Sequence, residues 1–216
     1  MTDPFQSPPA ALKRARAPGG VARSPGRALA TLAMGLALAA PSPAAFAGWD
    51  MDALMESLAR NKSGRATFVE TRRIAMLDKP VESSGELRYT APDQLEKRTL
   101  RPRPEIMIVN GGEMSIERGR QKYQLQLRTY PELAAFIDSV RGTLSGDRKA
   151  LERHYRLSLE GSVERWTLQL LPLEEKMQAV IGRIRVTGAR DQVNSIEIEQ
   201  ADGDSSLMTI GKPASP

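Results

Sequence analysis

The side chains able to do covalent chemistry are few, and their spacing suits none of it. His154 is the single histidine and sits in a charged stretch with Arg153 and Arg156. An imidazole works as a general base only where a nucleophile and an orienting group flank it, so this one reads as solvated or structural. The chain has no cysteine, hence no thiolate nucleophile and no thiolate ligand for zinc. It carries no Gly-x-Ser-x-Gly elbow and no phosphate-binding glycine loop. Gly111-Gly112 follow Asn110 and read as a hairpin turn. The adjacent carboxylates Glu174-Glu175 could serve a glycosidase only across a shared substrate bond; in a Pro-Leu-Glu-Glu-Lys run they read as a solvated turn. Arg72-Arg73 and the group Arg98, Arg101, Arg103 read as solvated faces, with contact to an anionic headgroup or an acidic partner as the functional alternative. Nothing here asks for a metal or a cofactor, and the expectation is a protein that is not an enzyme.

The N-terminal part of the 216-residue chain reads as a targeting signal. Lys13, Arg14, Arg16, Arg23 and Arg27 form a basic region, Ala28–Ala40 is an apolar run of 13 residues, and Ala45-Phe46-Ala47 is an A-x-A cleavage site. The run is shorter than the roughly 18 residues of a membrane-spanning helix. Residues 1–47 are therefore expected to be a signal peptide cut after Ala47, 48–211 one folded domain, and 212–216 a polar tail. Five of the 31 basic residues and one of the 26 acidic ones precede Gly48, so the processed chain is nearly neutral. That removes the basic footprint of a nucleic-acid binder. Without a cysteine there is neither a disulfide framework nor a residue for N-terminal lipid attachment. The expected location is the periplasm, as a soluble monomer.

Periodicity supplies the elements. Asp50 is placed to cap a helix whose Met51, Leu54, Met55 and Leu58 form one apolar stripe. From Arg65 the period becomes two: Ala66, Phe68 and Glu70 share a face, as do Gly85, Leu87 and Tyr89. Ala91-Pro92-Asp93 break that strand and Leu95–Leu100 resume it. Ile106–Val109, Met114 with Ile116, and Tyr123, Leu125 and Leu127 follow, the last as the clearest half-buried strand. A helix from Pro131 carries the stripe Leu133, Phe136, Ile137, Val140 and Leu144, and Asp147 can cap a further short turn. Strands return at Tyr155–Leu159, Trp166–Leu170, Ile184–Val186, Ile196–Ile198 and Leu207–Ile210. About ten or eleven short strands with alternating faces imply a mainly β antiparallel barrel or sandwich. The helices either plug it as core or cover a cavity kept for an apolar ligand; the methionines of the domain suit the second use a little better.

The order of "GRATFVETR", "SGELRYTAPDQLEK" and "MIVNGGEMSI" resembles the LolA family of periplasmic outer-membrane lipoprotein carriers. The residues that carry the resemblance are Phe68, Glu70, Thr71, Gly85, Leu87, Pro92, Asp93, Leu95, Gly111 and Gly112. It implies an unclosed, strongly curved antiparallel barrel with a helical lid and an apolar cavity for acyl chains, without catalysis or cofactor. On this reading the cavity is lined by Phe68, Leu87, Tyr89, Leu95, Met107, Met114, Tyr123, Leu125, Leu127, Trp166, Leu168 and Ile184, with Leu133, Phe136, Ile137 and Val140 as lid. The implied partners are an acylated lipoprotein or other lipid cargo, an inner-membrane exporter as donor and an outer-membrane acceptor. Two departures bear on the lid and cargo: Ala91 stands where the family has a lid-holding arginine, and Arg88 and Lys97 stand where tryptophans often occur. The rival reading is a periplasmic sensory or protein-interaction module with a packed barrel core; a hydrolase with a polar cleft is a third.

Overall fold

The computed structural model describes residues 49–212; the expected signal peptide with its cleavage site, and the tail beyond Lys212, lie outside the described residues. Helix α1 (Met51–Ala59) starts where the Asp50 carboxylate accepts the Ala53 N–H at 2.9 Å, a side-chain cap for an otherwise free donor. It buries Leu54, Met55 and Leu58. Six strands then run back and forth: β1 (Ser63–Arg73), β2 (Val81–Thr90), β3 (Gln94–Arg101), β4 (Glu105–Asn110), β5 (Glu113–Arg118) and β6 (Gln121–Gln126). A short 3-10 turn at Leu127–Thr129 leads into α2 (Pro131–Ser145) and α3 (Arg148–Glu152). Then come β7 (Tyr155–Ser162), β8 (Arg165–Pro172), α4 (Glu175–Gln178), β9 (Ile181–Ala189), β10 (Gln192–Gln200) and β11 (Ser205–Gly211).

All eleven strands belong to one antiparallel sheet in the order β6-β5-β4-β3-β2-β1-β11-β10-β9-β8-β7. The last strand joins the first, with Phe68 opposite Ile210 and Glu70 opposite Met208. That pairing fuses two meanders into one curled sheet whose edges are β6 and β7, so the barrel is unclosed. The alternation read from the sequence puts one apolar face inward under the helices. Two differences stand out. At Ala91-Pro92-Asp93 the chain reverses, so Leu95–Leu100 does not resume β2 but pairs with it, Tyr89 opposite Leu95 and Leu87 opposite Lys97. The Glu174-Glu175 run is not a free turn: it opens α4, which buries Met177. One helical turn is too short to show a period.

The inner face holds two apolar clusters. The larger joins α1 and α3 to β7–β10 through Leu54, Leu58, Leu151, Trp166, Leu168, Leu170 and Ile184, each 2% exposed or less. The smaller gathers Val109, Met114, Leu127 and Ile137. Phe136 packs against both. In each half of the sheet an aromatic side chain faces a glycine on the neighbouring strand: Phe68 opposite Gly85, and Trp166 opposite Gly188. A Cβ on Gly188 would run into the Trp166 ring and the Gln192 carbonyl. Gly188→Ala should therefore destabilise by about 1–3 kcal/mol through overpacking, read as a lower urea midpoint; an unchanged midpoint would show that the indole can shift aside.

Candidate functional site

The register lays out the inner face residue by residue. One row crosses β2 to β6 as Leu87, Lys97, Met107, Ile116 and Tyr123. The next crosses it as Tyr89, Leu95, Val109, Met114 and Leu125. In the other half, Met208, Ile196, Val186, Leu168 and Leu159 form a continuous apolar row. A face this apolar must be covered, and α2 is part of its cover.

The side of α2 that is buried is made mostly of small residues. Ala135, Ile137, Ser139, Gly142 and Thr143 are its buried positions. The Ser139 hydroxyl donates to the Phe136 carbonyl at 2.6 Å and the Thr143 hydroxyl to the Ser139 carbonyl at 2.8 Å. These polar groups are thus satisfied within the helix itself, and lifting α2 away would break none of those bonds. Two bonds from elsewhere hold it: Arg141 Nη2 donates to the Gly111 carbonyl at 2.6 Å, and the Tyr155 hydroxyl to the Ala135 carbonyl at 3.3 Å. Burial pushes the Tyr155 hydroxyl up to about 12 against the Ser139 hydrogen bond, which lowers it, so the phenol keeps the proton it donates.

Between α2 and strands β8–β10 only about 10 Å³ is empty, lined by Val140, Leu144, Leu170, Ile184, Val186 and Ile196 with Ser139, Thr143 and Val193. That is room for about one water. A larger opening of about 420 Å³ lies at the ends of β1–β3 against Arg65, Arg88 and Glu96. Those three share the parity opposite to Leu87 and lie outward, while Tyr89, which also lines the opening, belongs to the inner face.

Polar chemistry on the inner face centres on Glu70. Its Oε1 accepts the Ser206 hydroxyl at 2.7 Å, and its Oε2 accepts Lys97 Nζ at 2.5 Å and the Ser83 hydroxyl at 3.4 Å. Lys97 Nζ also stands 5.0 Å above the Phe68 ring centre, a cation–π geometry. Burial pushes the Glu70 carboxyl up, but the Lys97 hydrogen bond and charge, the Ser206 hydroxyl and the Arg72 charge together hold it below its ordinary value of 4.5. A carboxyl with a depressed folded pKa contributes stability above its unfolded pKa and loses it as pH falls through the folded one. The stability advantage of the native protein over Glu70→Gln should thus be full above about pH 5 and shrink once pH drops below 4.5. Urea melts across that range would show it; a difference independent of pH would contradict the assignment.

Residues 40–215 match the protein-family model described as outer membrane lipoprotein carrier protein LolA-like. The chain belongs to the LolA-like family. Among solved structures, a LolA superfamily protein from Nitrosomonas europaea shares 10% identity over 76% of this chain and 93% of that one, with a TM-score of 0.42. A DUF1329 family protein from Desulfovibrio piger shares 12% over 76% and 90%, at 0.45. The Mycobacterium tuberculosis lipoprotein LppX shares 10% over 76% and 97%, at 0.39. No curated protein sequence matches.

In this LolA-like chain the structure places the expected site residues in three groups. Phe68, Tyr89, Met114, Leu127, Trp166, Leu168 and Ile184 are buried in packed core. Leu87, Leu95, Met107 and Leu125 are half-buried on the inner face of β2–β6. Tyr123 is not covered: it is 48% exposed and its hydroxyl donates to Gln121, because β6 is the sheet edge, paired on one side only. Leu127 has left the strand for the 3-10 turn before α2, where it is still buried. The lid residues Leu133, Phe136 and Ile137 reach the smaller cluster, while Val140 lines the small cavity. Among the described residues, the pocket under α2 has room for about one water. Sequence reasoning left Glu70 and Lys97 out of the site, although both share parity with apolar inner residues. Among the described residues no group of three or more His, Cys, Asp or Glu side chains could hold a metal ion. His154 pairs with Glu174 at 3.2 Å. No described helix is long and apolar enough to cross a membrane.

Proposed function

We propose that the protein is a soluble periplasmic carrier, released by cleavage after Ala47 and working as a monomer of residues 48–211. It takes the acyl chains of a lipoprotein or another lipid from an inner-membrane exporter and carries them to an outer-membrane acceptor. The observation that supports this best is the cover of the LolA-like sheet. A largely apolar face lies under a helix whose most buried positions are four small residues and Ile137. Those small side chains each bury little apolar area, at about 25 cal/mol per Å², so α2 leaves room for a better apolar surface. An acyl chain is one: it contributes about 0.8 kcal/mol per buried methylene. The closed state then keeps the sheet covered until cargo displaces α2, with its Val140 and Leu144, from Leu170, Ile184, Val186 and Ile196 beneath.

The test is titration of the processed protein with a fluorescent acyl probe. Saturable binding of one equivalent, competed by an unlabelled lipid, is expected. The near-filled interior favours one rival, a packed protein-interaction module. That module would show no saturable probe binding at any lipid concentration below micelle formation.

A further inference from the structure

Resting on the carrier reading, we infer that the cargo carries an anionic group close to its acyl chain, a fatty carboxylate or a lipid phosphate, and that Lys97 receives it.

The placement is unusual for a lysine. Lys97 stands on the inner face between Leu87 and Met107, both half-buried, and its own side chain is 26% exposed. Glu70 does not exhaust it. An ammonium has three N–H donors, and among the described residues Glu70 accepts the one hydrogen bond from Lys97. The carboxylate itself accepts from Ser206, Ser83 and Lys97. Arg72 approaches it at 4.0 Å from the same face of β1. Two cations therefore share one anion, and the surplus is positive. Glu70 and the Phe68 ring fix where the ammonium sits, while its remaining donors and the surplus charge are available beside an apolar row.

A second observation points the same way. On the adjoining row Tyr89 is 8% exposed, and its hydroxyl is buried with no hydrogen-bond partner among the described residues. A buried, unpaired hydroxyl is costly, and a polar group of a ligand would satisfy it. An acyl chain lying along Met107 and Ile116 with its anionic end at Lys97 uses both the apolar row and the surplus charge. A neutral lipid would use only the first.

The experiment displaces a fluorescent acyl probe from the processed protein with three competitors that share one C18:1 chain: oleate, oleoyl-lysophosphatidylglycerol and monooleoylglycerol. The wild type should prefer at least one anionic competitor over the neutral one by about tenfold or more, the size of one charge-assisted hydrogen bond. Preference for oleate alone assigns a carboxylate, and preference for the lysophospholipid alone a phosphate. That preference should fall to near unity in the double variant Lys97→Met/Glu70→Gln, which leaves no lone buried charge, and persist in Lys97→Arg. Equal binding of all three by the wild type would overturn the inference while leaving the carrier reading intact. So would a preference that survives in the double variant. If the double variant does not fold, the wild-type comparison and Lys97→Arg still decide. Failure of the probe itself to bind would overturn the carrier reading, and this inference with it.

Discussion

Phe136→Glu should abolish acyl-chain binding and leave a folded protein. Phe136 is half-buried and packs against both apolar clusters, so in the closed state it bridges the two halves of the inner face. In the loaded state the same ring is the largest apolar surface α2 can offer to a chain lying beneath it. Replacing it with a carboxylate removes about 2–3 kcal/mol of apolar contact and sets an ionised group against the cargo. The expected loss of affinity is about 30-fold or more, since tenfold corresponds to about 1.4 kcal/mol. The fold should survive because Phe136 is only half-buried at the margin of both clusters, and the fully buried side chains of α1 and β8–β9 remain packed on one another. Probe titration together with circular dichroism checks both parts. Unchanged affinity in a folded variant would remove α2 from the site.

Arg141→Met should act in the opposite direction. Arg141 holds α2 to the β4–β5 turn through the Gly111 carbonyl at 2.6 Å, and its side chain is only 13% exposed. Asp138, 3.7 Å away on the same helix, gives it a weak second partner. A hydrogen bond from a charged donor contributes about 1.5–3 kcal/mol, and this one exists only with α2 closed. Cargo binding has to work against that closure, since the apparent affinity of a protein is reduced by the fraction of molecules in the competent state. Removing the bond should tighten the apparent Kd for an acyl probe about tenfold and lower the unfolding midpoint of the empty protein. Tighter binding with lower stability is a combination that simple damage to the site does not give. Weaker binding would mean that Arg141 touches the cargo or shapes its site rather than restraining the helix. The chain's own departure from the family pattern gives this point weight. The resemblance puts a lid-holding arginine where this chain has Ala91; on the carrier reading the restraint comes from α2 itself, through Arg141.

How far the sequence discloses this arrangement differs from element to element. The strands were legible because one face of each is covered and the other wet, which writes a period of two into Gly85–Tyr89, Tyr155–Leu159 and Trp166–Leu170. The α1 stripe and its Asp50 cap were legible for the same reason at a period of 3.6. The direction of the chain after Ala91 was not, because a strand that stops and reverses has the same alternation as one that continues. Tyr123 was misread because alternation reports which face a residue takes and not whether that face is covered, and β6 is an edge. The filled interior was hidden for a related reason. Of the buried α2 positions only Ile137 lies on the apolar stripe read from the sequence; Ala135, Ser139, Gly142 and Thr143 carry little hydrophobic signal. Glu70 and Lys97 belong to positions 27 residues apart, and only the register of β1, β2 and β3 reveals them as a pair.

The most direct test of the carrier account is native mass spectrometry of the processed protein purified from its own periplasm, followed by organic extraction. The account predicts a fraction of molecules heavier than the polypeptide by one acylated species, released into the organic phase and carrying a carboxylate or phosphate. A polypeptide mass alone, in a protein that also leaves a fluorescent acyl probe unbound, would contradict it and make the solid interior the working form of the molecule.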